Sequence, residues 1–482
     1  MIQFTLKHLM KNQSLENAIA FHKRGQPIKA DSIYKKLLEQ NPKNYQILYL
    51  RGLVSQDLNK NIEAIEFFEA AHCLNTMDPE ICFHLGMSYK KINALEKSNF
   101  FYEKTIALNP YHLEAYVNLA NNLTSQYLFK RASSYYLEAI NLNPSLATTY
   151  FNFGTMYLKA MDPDSAIHFL KKAVDLDRNN ANYLNALGVA ETDIGNLQEG
   201  SIAFENAHLK DPEFIEPLFN MHMVFLDINR HDLAIQCLEK AKKLAPKTIM
   251  LDFFLAVLYT YNSKAIESAN VLEKISKIKK ISGEVSSWAF IKNSCNSLPI
   301  LTGTNYGSLD LAIQHANLDG HVLEFGVYNG KSIRRIASLT QATIYGFDSF
   351  EGIPENWNDE PKGSYSAEGV LPAVPDNVTL IKGWFNETIP LFLKESNPSI
   401  SIRFLHIDCD LYSSTKTVFD FLWKKIIPGT VILFDEFIGY KSWQDDEFKA
   451  FTEAAKKYSW DYEIILVSFA TKQAAVKIKS VA

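Results

Sequence analysis

Acidic side chains recur where apolar runs in the second half of this chain come to an end. Asp348 follows Thr343–Phe347, Asp408 follows Ile402–Ile407, and Asp435-Glu436 follow Val431–Phe434; Glu324 sits within Val322-Leu323-Glu324-Phe325. Runs of that length bounded by turn residues read as buried strands, and ligands of an α/β sheet bind beyond the strands' carboxyl ends. Carboxylates gathered there suit three tasks: accepting from a ribose diol, holding a hard divalent cation, and taking a proton. Ahead of them stands Gly326-Val327-Tyr328-Asn329-Gly330, followed by the helical pattern that opens at Lys331-Ser332-Ile333. Strand, glycine turn and helix is the layout of a nucleotide site.

The type of nucleotide is narrowed by Tyr328. A dinucleotide turn needs a second glycine there so that backbone can approach a pyrophosphate. S-adenosyl-L-methionine has no pyrophosphate, and the amides near Gly330–Ser332 open a helix that can receive its carboxylate. Asp348 comes 22 residues after Gly326, where a ribose-binding acid belongs; the alternative is a loop-starting Asx residue.

These residues need a scaffold. Strands are expected at 322–327, 343–347, 378–381, 402–407, 431–434, 464–467 and 475–478, with helices at 331–340, 386–395, 413–426 and 444–458. That alternation predicts a mostly parallel, Rossmann-like α/β domain over 321–482. The segment 349–377 is long for a β-α connection and reads as a lid or binding loop. Trp357 and Tyr365 in it either stack on a sugar ring or pack the loop down. Asp410 is either catalytic or the N-cap of the helix at 413–426.

The first half follows a different rule. Small residues recur every 34 positions at Ala30, Ala64, Ser98, Ala132, Ala166, Gly200, Ala234 and Ser268. Large ones share the period at Tyr34, Phe68, Tyr102, Tyr136, Leu170, Phe204, Leu238 and Leu272, as do Gly52, Gly86, Gly154 and Gly188, and Pro42, Pro110, Pro144, Pro212 and Pro246. Spacing and pattern resemble tetratricopeptide repeats, which implies an all-α solenoid of about seven to eight helix pairs over 1–280. One pair cannot bury its apolar face alone, so the repeats must stack, and such arrays bind protein partners. Asn118, Asn121, Asn122, Asn152, Asn182 and Asn185 fall on successive first helices; they either hold a peptide backbone, as the resemblance implies, or are solvated. The histidines at 84, 112, 168, 208 and 222 lack i, i+4 pairing and read as surface or core residues. A junction over 281–320, with helices near 286–297 and 309–317, is read as a lid or bracket.

Composition excludes several classes. The chain has 482 residues, 47% hydrophobic, with a net charge of −5, so more than one domain is expected and nucleic acid is not an expected partner. No apolar run is long enough for a membrane span, and MIQFTLKHLMKNQ is a poor signal peptide because charged residues break its apolar stretch. Five cysteines without a CxxC pair fit a reducing, cytoplasmic setting.

The blocks EFGVYNGKS, YGFDSFEGIPE, HIDCDLYSST and PGTVILFDEF occur in that order. They resemble the macrocin-type sugar O-methyltransferases, which are class I S-adenosylmethionine enzymes, and the resemblance covers about 300–482. It implies a seven-stranded sheet with an antiparallel last strand. It also implies Mg2+ held by Asp408, Asp435 and Glu436, with Trp384 bordering the adenine. Cofactor contacts then fall on Glu324, Gly326, Tyr328, Gly330, Ser332, Asp348, Ser349 and Trp384, and catalysis on Asp408 or Asp410. One departure is Asp435-Glu436-Phe437 where the macrolide enzymes resemble Asp-Asp-Tyr; the metal then has two protein ligands, or the acceptor differs. No lysine follows Asp408 closely, so deprotonation by lysine is not expected. The expectation is a metal-assisted methyltransferase of a small-molecule or glycoconjugate hydroxyl, with a protein partner on the repeats and an oligomer open. The rivals are a scaffold with a degenerate methyltransferase domain and an enzyme with a protein acceptor.

Overall fold

The computed structural model describes residues 14–395 and 401–481. The N-terminal stretch read as a poor signal peptide lies outside them. Two compact units divide between Ala160 and Met161.

In the first unit antiparallel helix pairs follow one another, such as Pro79–Lys91 with Leu95–Leu108 and Leu113–Ser125 with Phe129–Leu142. The periodic residues explain the pairing. Ala30, Ala64, Phe68, Tyr102 and Ala132 are fully buried. Gly52, Gly86 and Gly188 make room for the aromatic sixteen positions on: a Cβ on Gly52 would lie 2.4 Å from the Phe68 ring, and one on Gly86 would lie 2.6 Å from Tyr102. Gly86→Ala therefore overpacks the pair and is expected to cost about 1–3 kcal/mol, read as a lower urea midpoint. The asparagines are not simply solvated. Asn122 is buried and donates to Ser98 (2.8 Å) and Asn99 (3.0 Å), and Asn121 accepts from Tyr136 at 2.6 Å. These two bond within the array, which leaves them less to offer a peptide.

The second unit, 161–482, contains further helix pairs up to Ala265–Ile275 and then the α/β domain. The strands are β1 (Ile300–Leu301), β2 (His321–Phe325), β3 (Ile344–Asp348), β4 (Val378–Lys382), β5 (Ile402–Ile407), β6 (Val431–Phe434), β7 (Trp460–Val467) and β8 (Ala474–Val481). They form one sheet in the order β1-β7-β8-β6-β5-β2-β3-β4. β8 is antiparallel to both neighbours, and the other pairings are parallel. The expected seven strands are corrected to eight, because Ile300–Leu301 adds a short edge strand beside β7. Val322, Leu323 and Phe325 are buried because helices cover both faces of a parallel sheet.

Helix starts in the junction differ from expectation. The helix expected near 286–297 runs over Ser282–Ser294 and so takes in Gly283; a Cβ on Gly283 would lie 2.1 Å from the Tyr440 carbonyl, so glycine there answers a close approach. The next helix, Asn305–His315, starts early because the Thr304 side chain accepts from Gly307 N.

The last repeats pack against this domain along one register. Asp193, Asp227 and Tyr261 are 34 residues apart at the ends of first helices. Asp193 pairs with Lys331 at 3.0 Å. Asp227 accepts from Gly303 N at 2.7 Å and the Thr304 hydroxyl at 2.5 Å. The Tyr261 hydroxyl donates to the Pro299 carbonyl at 2.7 Å. Phe253 meets Phe469 edge-on at 5.2 Å, joining the repeat core to one face of the sheet. Packing therefore unites residues on either side of 280, where the periodic sequence pattern stops.

Candidate active site

Strand order places the site. The chain moves outward from β2 through β3 to β4, then returns to lay β5 against the other side of β2. The carboxyl ends of β2 and β5 are thus a switch point, where flanking connections part and leave a crevice. A cavity of about 500 Å³ opens there. Gly326, Tyr328, Ser332, Asp348, Ser349, Trp384, Asp408, Asp410, Asp435 and Glu436 line it, so most of the expected site residues converge.

Two do not line it. Gly330, at φ +83, turns the chain into the helix Lys331–Leu339. Glu324 is fully buried beneath the cavity and bonds His406 Nδ1 at 2.8 Å.

The glycine turn is held tightly. Gly326 has φ +94, and a Cβ there would lie 1.7 Å from the Asp408 carbonyl oxygen, so no other residue fits without moving β5's end. Tyr328 is also left-handed, at φ 49. The Asp348 carboxylate fastens the turn: Val327 N and Tyr328 N donate to Oδ2 at 2.8 and 2.7 Å, and Phe350 N donates to Oδ1 at 2.6 Å. The loop-starting reading of Asp348 is met by these bonds. Asp348 forms an Asx-type bond to its own loop and also faces the cavity, and a carboxylate retains further lone pairs.

The far side is acidic. Asp408 N and Asp435 N continue the sheet ladder to Phe325 and Ile407, which brings both side chains to one edge. Burial, then the charges of Asp435 and Asp410, push the Asp408 carboxyl well above the usual range. Burial and then Asp435 raise Asp410 to about 7. Burial raises Glu436 to about 8 against the pull of Lys472. The N-cap alternative for Asp410 fails: Leu411 occupies that position, and Asp410 stands in the left-handed region at φ 61.

His406 was missed in the sequence. One donor atom each of His406, Asp408 and Asp435 lie within 4.8 Å of one another. His406 Nε2 is buried with no hydrogen-bond partner among the described residues, while its Nδ1 faces Glu324. A metal ligand of this kind is held by a carboxylate on its other nitrogen. The expected third ligand, Glu436, stands outside that trio, with Oε1 on Lys472 at 3.1 Å. Gln473, also missed, donates to Asp435 Oδ1 at 2.6 Å. The sequence signal was the alternation in His406-Ile407-Asp408, which puts the two polar side chains two residues apart at a strand end.

Other walls come from outside the sheet. Asn305, Tyr306 and Leu309 bring in the helix Asn305–His315, so part of the junction does border the cavity. Trp357 and Tyr365 of the long loop line it, and the Tyr365 ring meets Tyr328 edge-on at 6.2 Å.

Residues 323–437 match the family described as a methyltransferase domain, and residues 79–112, 147–180 and 218–248 match a tetratricopeptide repeat. The chain thus carries tetratricopeptide repeats followed by a methyltransferase domain on a Rossmann-like sheet. That domain is homologous to O-methyltransferases of Streptomyces. It is 26% identical over 161 residues to demethyldecarbamoylnovobiocin O-methyltransferase of Streptomyces niveus, a match covering 28% of this chain and 60% of that protein. It is 27% identical over 144 residues to 8-demethyl-8-(2,3-dimethoxy-alpha-L-rhamnosyl)-tetracenomycin-C 4'-O-methyltransferase of Streptomyces olivaceus, covering 24% of this chain and 53% of that protein. The chain therefore spans between half and two thirds of the length of these curated relatives. Among solved structures, the protein MamA is 25% identical, with a TM-score of 0.33, covering 33% of this chain and 94% of that one. Among the described residues no helix is long and apolar enough to cross a membrane.

Proposed function

We propose that the chain is an S-adenosylmethionine-dependent O-methyltransferase acting on a hydroxyl of a glycoside or glycoconjugate, with the repeats receiving a protein partner. The observation that carries this reading is one cavity with two chemically distinct sides. The glycine turn and Asp348 stand on one, and His406, Asp408, Asp410 and Asp435 on the other. The name of one relative, which specifies a rhamnosyl compound and its 4'-oxygen, supports a sugar hydroxyl as acceptor.

S-adenosylmethionine, when bound, supplies an electrophilic methyl group. On the donor side Asp348 accepts from the ribose hydroxyls, the amides around Ser332 face the methionine carboxylate, and Trp384 and Ser349 border the adenosine. Glu324 and Gly330 act from behind: Glu324 orients His406, and Gly330 sets the helix start. On the acceptor side Asp410 takes the proton of the sugar hydroxyl, because burial and Asp435 leave its carboxyl basic enough near neutrality.

His406, Asp408 and Asp435 fit a divalent cation, which would lower the pKa of the hydroxyl it binds. Two carboxylates suit magnesium; the imidazole widens the choice toward manganese, since magnesium favours oxygen ligands. Glu436 is left as an acceptor of the Lys472 ammonium.

Calorimetric titration with S-adenosylmethionine tests the donor half. Absence of heat and of thermal stabilisation at millimolar cofactor would leave the scaffold reading standing. Chelation with EDTA tests the acceptor half. Turnover is expected to fall at least about 100-fold and to return with Mn2+ or Mg2+; full activity after chelation removes the metal from the reaction.

A further inference from the structure

The repeats end their first helices in a turn whose last residue is left-handed, again every 34 positions. Asn59, Asn93 and Asn229 hold it at φ 56, 59 and 54, with Gly195 and Ser263 in the same register. Asparagine and glycine tolerate that conformation best, so the register follows backbone preference. Three turns depart from that preference, at Tyr127, Met161 and Ser263. Tyr127, at φ 60, lies beneath the Lys159 ammonium, 4.1 Å from its ring centre. Met161, at φ 58, lines the methyltransferase cavity and is 42% exposed. A thioether chain in a costly backbone conformation, at the repeat turn that borders the cavity, calls for a reason beyond folding.

The following turns explain why Met161 keeps its place. Asp193 holds Lys331 at 3.0 Å, and Lys331 is 14% exposed and lines the same cavity. A Cβ on Gly195 would come within 3.1 Å of the Arg335 guanidinium, so glycine permits that close seating. Ile194 packs against the core cluster that contains Leu309 and Ile333. The repeats of the second unit are thus seated on the helix that follows the glycine turn, and the Met161 turn is one repeat before that seat.

We propose that Met161 is a specificity-determining residue of the transfer site, contacting an apolar portion of the acceptor beside the methylated hydroxyl. This rests on the reading of the cavity as an O-methyltransferase site with a sugar acceptor. Met161 adds an unbranched, polarizable side chain to a cavity lining that also includes Ile353, Pro354 and Trp357, and apolar lining of this kind accepts a ring or acyl group rather than a bare sugar. The solenoid is then part of the acceptor site as well as a platform for partners.

The test compares p-nitrophenyl α-L-rhamnopyranoside with methyl α-L-rhamnopyranoside, titrated into full-length protein saturated with S-adenosylhomocysteine. The wild type is expected to bind the p-nitrophenyl glycoside about tenfold more tightly. Met161→Asn, which introduces the residue found at Asn59, Asn93 and Asn229 and suits the left-handed turn, is expected to erase that preference, to keep or raise the melting temperature and to leave S-adenosylhomocysteine affinity unchanged. Tyr127→Asn, one repeat earlier, is expected to keep it. A preference unchanged in Met161→Asn, or equal losses for both glycosides, overturns the inference. A wild type that binds S-adenosylhomocysteine but neither glycoside overturns the sugar-acceptor reading and this inference with it. A wild type that does not bind S-adenosylhomocysteine overturns the methyltransferase reading itself.

Discussion

Asp408→Asn is expected to lower methyl-transfer turnover by about 1,000-fold while leaving S-adenosylmethionine affinity unchanged. The substitution preserves side-chain shape and removes a charge. Asp408 belongs to the trio with His406 and Asp435, and its neighbours Asp435 and Asp410 already press its carboxyl toward neutrality. A bound cation reverses that pressure, and an amide at 408 weakens the cation's hold. Donor affinity is spared because the part of Asp408 that touches the glycine turn is its carbonyl oxygen, against Gly326, which the substitution keeps. The check is paired: calorimetry with S-adenosylmethionine and single-turnover transfer on the same preparation. Intact transfer in Asp408→Asn removes Asp408 from the chemistry. Joint loss of binding and transfer makes it a support of the turn.

Asp348→Ala is expected to weaken S-adenosylmethionine binding by at least about 100-fold and also to destabilise the second unit. Three loop amides, those of Val327, Tyr328 and Phe350, donate to this carboxylate and would lose their acceptor. Each charge-assisted bond contributes on the order of 1.5–3 kcal/mol, so the turn loosens as the ribose partner disappears. The two effects separate by measurement. Urea unfolding without cofactor reports the turn, and calorimetry at a temperature where the variant is folded reports the ribose contact. A folded variant with undiminished affinity would falsify the ribose role and leave Asp348 as the fastening of the turn alone.

The two halves were legible in the sequence for different reasons. In the repeats the period itself carries the information, since each helix pair must meet its neighbour in the same way. Gly52 and Gly86 sit sixteen positions before Phe68 and Tyr102, and each would collide with its aromatic if it bore a Cβ. In the α/β domain buried strands read as apolar runs, and their carboxyl ends were marked by the acids. The strands at 402–407 and 431–434 and the helix at Lys331 emerged where expected. The edge strand β1 was not legible, because two residues carry no periodicity.

By itself, then, the sequence determined the class of each half and the glycine turn, and most of the site residues expected from it reach the cavity. Local pattern suffices where the cause is local: burial on both faces makes a run apolar, and a left-handed turn selects glycine. The tertiary structure alone decided which side chains meet. Glu324 and His406 are 82 residues apart, and only the β2–β5 register sets them opposite each other and brings His406 within reach of Asp408 and Asp435. Asp193 and Lys331 are 138 apart, and only the seating of the last repeats brings them together. Pairings across such separations depend on register and packing, which the whole fold sets at once and no short stretch of sequence records.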